Sequence, residues 1–512
     1  MMRNNHEEDY ILGDMDTEAL RHYGHQVVDW MVDYLTEPQK YPILPRSTAG
    51  EIAQRLPIHP PEQPESMDAI LSDLERIIIP GLTHWNSAGF MGYFGLSASG
   101  PSILAEMFDA TFNVTRMLWR TSPSATEVEQ VVLKWLREML GLPDDMFGML
   151  HHNSAIVHAL LAAREAIPDA LIACSGMGGR TDLPRLCLYV SQEGHTSIDK
   201  AAIVLGIGLE GVRKIRTDIA LRMDIEALEL AIREDLQAGY LPFAVVATVG
   251  TTSTTSIDPV VDIAAICQRY KLWLHVDAAY AGAAALVPEK RWILEGCEQA
   301  DSLSVNPHKW LFTNFNCSAF FTRQPDILKT ALSLTPAYLE HTENTSELMP
   351  DLMDYDFSLP HRFPALKLWM VMRYFGREGL ARRIAEHCRL AQLLEGWIAL
   401  SSEFECMAPV PLSVVCLRAH PAILEDGQAL DRLNERILQR VNAEGSFFLS
   451  HTRVRGRYTL RVAISHIRTS EEHVYKVWDA LQRCLQVELS MLRRPPATRP
   501  QLHMLNLPAR PL

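Results

Sequence analysis

Four apolar segments that each stop at polar residues constrain the fold of this 512-residue chain more than any other feature. Their lengths suit buried strands, and turn-forming residues follow each of them. Between the second and third segments, Asp258 is a suitable N-cap and Pro259 a suitable first residue for a helix. Strand, helix and strand at this spacing form a parallel crossover, so the pattern predicts an α/β fold with a mostly parallel sheet. The four segments are RLCLYV, FAVVATV, LWLHV and SLSV.

Functional side chains follow the ends of these predicted strands. His195, Thr252, Asp277 and Lys309 each come shortly after one apolar segment. Because open parallel sheets bind ligands beyond the carboxyl ends of their strands, we expect these residues to converge on one crevice. Burial next to apolar residues and an imidazole lowers the pKa of a lysine amine, which can then attack an aldehyde. Lys309 is therefore a candidate Schiff-base nucleophile.

Three short motifs, HVDAAYAG, NPHKW and EGH, closely resemble those of the group II pyridoxal-phosphate-dependent amino acid decarboxylases, the aromatic-L-amino-acid decarboxylase-like family. NPHK is the most specific of them. The resemblance runs from about Asp16 to about Arg483. It implies fold type I of the pyridoxal-phosphate enzymes, with a large domain, a small C-terminal α/β domain and an N-terminal helical segment, and it implies pyridoxal 5'-phosphate as the cofactor.

The resemblance also implies roles for individual residues. Lys309 would hold the cofactor as a Schiff base, and Asp277 would keep the pyridine nitrogen protonated so that the ring accepts electrons when carbon dioxide leaves. His195 would stack on the ring. Four further residues would lie near the ring, its phosphate or the lysine: Thr252, Ala279, Asn306 and His308.

The segment that normally binds the cofactor phosphate departs from the family pattern. His151, His152, Asn153 and Ser154 stand where small and hydroxyl residues open a helix in the family. Backbone N–H groups at a helix N-terminus bind phosphate whatever the side chains are, and His152 and Asn153 can add hydrogen bonds. No further metal ligands lie at suitable spacing from these histidines, so we expect no metal site here.

A second departure lies in the segment that corresponds to the mobile lid, at about residues 336–356. In decarboxylating members a lid tyrosine protonates the reacting carbon, but gap-free counting places Leu352 there. Three interpretations remain open. Tyr355 takes the role, or His195 or water does, or the enzyme is an oxygen-dependent aldehyde synthase. A weakly active or non-catalytic family member that acts as a dimeric interaction partner is a further alternative.

The chain divides into four predicted regions. An N-terminal helical dimerisation segment covers residues 1–85, a large cofactor-binding domain 86–378, a small C-terminal domain 379–493, and a disordered proline-rich tail 494–512.

Trp85, Tyr93 and Phe94 are candidates for the substrate pocket, and Arg461 is expected to be structural.

Charge and composition exclude several classes of partner. The net charge of -14 argues against nucleic acid and anionic membranes, and the N-terminus lacks a basic and apolar signal sequence. The nine cysteines have no paired metal spacing and are expected to be reduced. These features predict a cytoplasmic protein. The family resemblance implies a homodimer that decarboxylates an L-amino acid, with an aromatic side chain, to its amine.

Overall fold

The N-terminal segment is helical, and two of its three α-helices begin at side-chain caps. A computed structural model describes residues 14–151, 154–334, 350–358 and 361–492. The Asp16 carboxylate accepts hydrogen bonds from the first-turn N–H groups of Glu18 and Ala19, both at 3.1 Å. The Ser66 side chain caps the third helix by accepting a hydrogen bond from the Ala69 N–H. The elements are α1 (Thr17–Thr36), α2 (Glu51–Arg55), α3 (Met67–Asp73) and the short strand β1 (Phe90–Met91).

The next 230 or so residues form a seven-stranded sheet flanked by helices. Its strands are β2 (Phe147–His151), β3 (Leu186–Ser191), β4 (Val212–Ile215), β5 (Leu241–Thr248), β6 (Trp273–Asp277), β7 (Ser302–Val305) and β8 (Ser318–Thr322). The helices are α4 (Gly100–Phe112), α5 (Pro123–Leu140), α6 (Ala155–Glu165), α7 (Ile172–Ser175), α8 (Thr196–Val204), α9 (Ile225–Gln237), α10 (Val260–Tyr270), α11 (Pro307–Trp310) and α12 (Pro325–Leu332).

The strand order of this sheet is β2-β8-β7-β6-β5-β3-β4. Strand β8 is antiparallel to both of its neighbours, and the other adjacent strands are parallel. The four predicted apolar strands are β3, β5, β6 and β7, which are consecutive in the sheet. Buried apolar residues pack on both faces of the sheet. The predicted α/β class with a mostly parallel sheet is confirmed.

The predicted cap of α10 is wrong by one residue. Pro259 occupies the N-cap, and the helix begins at Val260. The buried Asp258 carboxylate instead accepts hydrogen bonds from the N–H groups of Thr248, at 2.8 Å, and Met223, at 2.7 Å. Asp258 therefore fixes the carboxyl end of β5, beside the predicted crevice, because two backbone donors outside the helix satisfy it.

The C-terminal part of the chain forms a second, five-stranded sheet with its own apolar core. The elements are α13 (Pro364–Ala399), β9 (Phe404–Cys406), β10 (Val414–Ala419), α14 (Gly427–Glu444), β11 (Phe448–Val454), β12 (Arg457–Ala463) and α15 (Glu471–Leu492). The strand order is β1-β11-β12-β10-β9, so the N-terminal strand β1 forms one edge of this sheet. The long helix α13 breaks at Gly376, whose φ of 63° lies in the left-handed region, close to the predicted boundary at 378/379.

Two further observations bear on the predictions from composition. Across the described ranges, no helix combines the length and apolar character that crossing a membrane requires. All nine cysteines lie within the described residues and are free thiols, and most of them are buried. The predicted tail, 494–512, lies outside the described residues.

Candidate active site

One cavity of about 550 Å³ lies beyond the carboxyl ends of β3, β5, β6 and β7. The residues that follow these four strands, His195, Thr252, Asp277 and Lys309, all line it. The sheet brings them together because parallel strands end at the same edge. The predicted convergence on one crevice is therefore present in the structure.

Asp277 is held rigidly at the end of β6. Its backbone pairs with Thr248 of β5 on one side and Ser304 of β7 on the other. Its Oδ1 accepts a hydrogen bond from the Ala279 N–H at 3.1 Å. An ionised carboxylate only accepts hydrogen bonds, so Asp277 presents an acceptor to a protonated nitrogen in the cavity.

Lys309 lies in the short helix α11, which is anchored to the Asp277 turn through Asn306. The Asn306 N–H donates to the Ala279 carbonyl at 2.9 Å, and the Lys309 N–H donates to the Asn306 carbonyl at 2.9 Å. Burial lowers the pKa of the Lys309 amine; nearby Asp277 opposes this effect and the positive charge of Arg461 adds to it. A larger fraction of the amine is therefore neutral, which is the form that attacks an aldehyde.

His195 is the N-cap of α8 and faces the cavity. Its Nδ1 accepts a hydrogen bond from the Ser197 N–H at 3.1 Å, which places the ring proton on Nε2 in the neutral form. Burial, followed by the charge of Lys309, lowers the pKa of His195. The side chain is therefore a neutral, flat imidazole at neutral pH, suited to contact with an aromatic ring.

The three predicted pocket aromatics all line the cavity. Trp85 and Tyr93 stack on each other with ring centroids 5.6 Å apart. Phe94 stacks on Tyr280 at 3.8 Å, and the Lys309 Nζ lies 5.5 Å from the Phe94 ring. The cavity therefore has an aromatic wall on the side of the lysine.

Arg461 on β12 also lines the cavity, although the sequence suggested only a structural role. Its guanidinium lies 4.7 Å from the centre of the Phe94 ring. Nε donates to the Ser253 carbonyl at 2.9 Å, Nη1 donates to the Tyr93 carbonyl, and Nη2 has no hydrogen-bond partner among the described residues. An arginine within the apolar strand YTLRVAI was the sequence signal that could have indicated this position in the cavity.

Strand β11 contributes three further lining residues that were not predicted: Ser450, His451 and Thr452.

The remaining predicted cofactor neighbours also line the cavity: Thr252, Ala279, Asn306 and His308. His308 lies with Nδ1 2.7 Å from the Cys317 carbonyl oxygen, and burial lowers its pKa to about 3, so the ring is neutral. The first residues of α6, Ala155 and Ile156, line the cavity as well. His152 and Asn153, predicted at the phosphate, lie outside the described residues.

These features fit pyridoxal 5'-phosphate. The cavity offers a lysine amine of lowered pKa, a carboxylate acceptor, a flat imidazole and the N-terminus of a helix. These groups suit an aldehyde, a ring nitrogen, an aromatic face and a phosphate, respectively.

The structure does not bring Tyr355 into this cavity. Tyr355 belongs to the short 3₁₀ turn Leu352–Tyr355, and its ring packs against Phe147 with centroids 5.0 Å apart. Both Tyr355, 8% exposed, and Leu352, 2% exposed, are buried within their own chain. A catalytic role for Tyr355 stays a prediction. Residues 336–349 of the predicted lid lie outside the described part of the chain.

Sequence spacing also missed neighbours of His151 that could bind a metal with it. His158, seven residues along the chain, and Asp356, from the lid segment, lie beside it, and ligand atoms of the three residues lie within 4.8 Å of one another. His361 also contacts Asp356. The expectation that no further ligands accompany His151 is wrong, because two of the contacts are about 200 residues away in sequence. We call His151, His158, Asp356 and His361 the histidine cluster.

Comparisons with known proteins agree with this geometry. The family model for the pyridoxal-dependent decarboxylase conserved domain matches residues 50–420. Tyrosine decarboxylase 2 of Arabidopsis thaliana is 39% identical over 92% of this chain and 87% of the relative, and a phenylacetaldehyde synthase of a Rosa hybrid cultivar is 37% identical over 93% and 96%. The crystal structure of Oryza sativa TDC with PLP and tryptamine superimposes with a TM-score of 0.88 at 32% identity, over 93% of this chain and 99% of that one.

The family model covers most of the chain, including all seven strands of the first sheet. The protein uses pyridoxal 5'-phosphate as its cofactor. The chain belongs to the pyridoxal-dependent decarboxylase family.

Proposed function

We propose that this protein decarboxylates an aromatic L-amino acid to its amine and carbon dioxide. The observation that supports this most directly is that Lys309, Asp277 and His195 line one cavity together with an aromatic wall. Relatives named tyrosine decarboxylase and phenylacetaldehyde synthase, similar over almost the whole chain, support an aromatic substrate.

The bound cofactor supplies an aldehyde for the substrate amine and a ring that accepts the electron pair left when carbon dioxide departs. Lys309 provides the neutral amine that attaches the cofactor and afterwards accepts and returns protons at Nζ. Asp277 would accept a hydrogen bond from the protonated ring nitrogen and stabilise its positive charge. His195 would contact the ring, and the N-terminus of α6 would bind the phosphate.

The aromatic wall accounts for substrate selection. Trp85, Tyr93 and Phe94 offer apolar ring surface, and burial of a substrate ring there stabilises the complex by roughly 25 cal/mol per Å² of apolar area removed from water. The same contacts exclude water from the reacting carbon. Acidic or small amino acids gain little from such a wall.

A second candidate is an aromatic aldehyde synthase, in which decarboxylation is coupled to oxidative deamination by oxygen and water, yielding an aldehyde, ammonia and hydrogen peroxide. The observation in its favour is that the position expected for the lid acid is a buried leucine, Leu352, and that Tyr355 packs against Phe147 outside the cavity. Among the groups that line the cavity, His195 and Lys309 are candidates to protonate the reacting carbon in place of a lid tyrosine.

We also propose that the enzyme is a cytoplasmic homodimer. Helix α1 has no buried residues, and Leu20, Val27, Val28 and Val32 on it are exposed. Such an apolar face on an N-terminal helix suits burial against a second copy of the chain. Light scattering of the purified protein tests the assembly, and a monomer at micromolar concentration would contradict it.

Product analysis tests the reaction. The cofactor-loaded protein is incubated under air with aromatic and acidic L-amino acids, and amine, aldehyde, carbon dioxide and peroxide are followed together. We expect amine and carbon dioxide in equal amounts from an aromatic substrate. Equal amounts of aldehyde and peroxide would establish the synthase instead, and the absence of all products, with no cofactor absorbance, would support the non-catalytic alternative.

A further inference from the structure

The histidine cluster lies behind the active-site cavity, where α6 meets the segment that precedes α13. The Asp356 carboxylate is at its centre. His151 Nδ1 lies 2.9 Å from Asp356 Oδ2, His158 Nε2 lies 3.3 Å from Oδ1, and His361 Nε2 lies 3.0 Å from Oδ2. All four side chains are at most 4% exposed. The cluster is therefore a closed, polar site inside the protein.

A backbone carbonyl determines that Nδ1 of His158 carries a proton. Its Nδ1 lies 3.0 Å from the Ser154 carbonyl oxygen, which can only accept, so Nδ1 carries a proton. In the neutral ring Nε2 then has a lone pair, and this atom has no hydrogen-bond partner among the described residues. In that form a lone pair faces a carboxylate oxygen at 3.3 Å, an arrangement that is repulsive unless a proton or a metal ion lies between the two atoms.

The surroundings leave the carboxylate without another cation. In the part of the chain that the structure describes, no lysine or arginine forms an ion pair with Asp356. The nearby buried Arg116 already pairs with Glu129, with Nε 3.0 Å from Oε2. Imidazoles and carboxylates bind metal ions once they have released their protons.

We propose that His151 Nδ1, His158 Nε2 and the Asp356 carboxylate bind a zinc ion. Two imidazoles and a carboxylate are a ligand set that zinc accepts, and bonds of about 2.0–2.2 Å in a tetrahedron place neighbouring ligand atoms about 3.3 Å apart. His151 Nδ1 lies 2.9 Å from one carboxylate oxygen, Oδ2, and His158 Nε2 lies 3.3 Å from the other, Oδ1, and ligand atoms of all three residues lie within 4.8 Å of one another. His361 orients the carboxylate from outside, and the Ser154 carbonyl does the same for His158. A water molecule takes the fourth position.

The site's location gives it a positioning function rather than a catalytic one. His151 ends β2 and His158 is the fourth residue of α6, so these two ligands flank the start of the helix whose first residues line the active-site cavity. Asp356 lies in the segment that leads into α13. A zinc ion would thus tie the phosphate-binding end of α6 to the end of the lid segment.

Metal binding itself provides the test, independently of activity. Untagged protein is treated with chelator, dialysed, reloaded with zinc or cobalt alone, and measured by elemental analysis and visible absorbance. We expect about one metal ion per chain, the intense visible bands of tetrahedral cobalt, and a chelator-sensitive Tm. His158→Gln and Asp356→Asn should each lose the cobalt bands and the chelator effect.

The double variant His22→Gln/His25→Gln is the matched control, because both residues lie on the exposed surface of α1. It should bind metal like the unchanged protein. The proposal is overturned if the unchanged protein retains less than a tenth of an ion per chain in excess zinc, or if cobalt gives only octahedral bands. It is also overturned if folded His158→Gln or Asp356→Asn protein binds metal as the unchanged protein does. If neither variant folds, the cobalt spectrum of the unchanged protein decides alone.

Discussion

Replacing Arg461 with methionine should alter both stability and the pH dependence of cofactor uptake. The guanidinium donates hydrogen bonds to the carbonyls of Ser253 and Tyr93 and stacks on Phe94. Hydrogen bonds from a charged donor contribute about 1.5–3 kcal/mol each, and a desolvated cation–π contact roughly 2 kcal/mol. Removing the arginine also removes the desolvation penalty of a buried charge, several kcal/mol. We therefore expect the free energy of unfolding to fall by about 2–4 kcal/mol.

The electrostatic effect on Lys309 follows from the same geometry. Lys309 Nζ lies 5.5 Å and the Arg461 Cζ 4.7 Å from the same ring centre, so the two charges are at most about 10 Å apart. At an effective dielectric constant of about 20, their repulsion is at least about 1.7 kcal/mol. The repulsion disfavours the ammonium form of Lys309 and so lowers its pKa. Without Arg461 the pKa of Lys309 rises. At a given pH below that pKa, the fraction of Lys309 in the neutral amine form falls roughly tenfold.

Stopped-flow absorbance of cofactor uptake from pH 6 to 10, together with urea unfolding, measures both effects. The rate profile of Arg461→Met should move to higher pH. Arg457→Met is the matched control, since Arg457 lies on the same strand but is exposed, and it should leave both quantities unchanged. If Arg461→Met unfolds at the same urea concentration and takes up cofactor with the same pH profile, the structural reasoning is refuted.

Three other substitutions test the assigned roles. Lys309→Ala should abolish the cofactor-sized mass increase that borohydride fixes on the chain; a retained increase would place the attachment elsewhere. Asp277→Asn should lower kcat at least about 100-fold while Tm stays the same, because the amide oxygen can still accept from the Ala279 N–H; unchanged kcat would exclude a role for the charge. Tyr355→Phe should leave the ratio of amine to aldehyde unchanged, because the ring packs against Phe147 outside the cavity; a rise in aldehyde and peroxide would identify Tyr355 as the proton donor.

The sequence predicted the sheet and the residues at its edge because local patterns determine both. An apolar run followed by Asp277 or Lys309 indicates a buried strand and a functional group at its end, and parallel pairing then brings such ends together. Contacts between segments that are distant in sequence have no comparable local pattern in the sequence. Arg461 reaches the cavity from the second sheet, and Asp356 meets His151 across 205 positions. Such pairs depend on how whole elements pack, which periodicity does not encode.

The pairing of β1 with β11 determines when the active site can form during synthesis. Phe90 and Met91 pair with Phe448 and Leu449, so the strand that precedes the aromatic wall finds its neighbour only after more than 350 further residues have been made. The sheet that holds Lys309 can assemble earlier on the ribosome, but the wall and the arginine against it cannot. The cofactor can therefore bind the complete site only after the ribosome has synthesised nearly the entire polypeptide. Because β1 and β11 are far apart in sequence, we expect the active site to form more slowly than the first sheet folds.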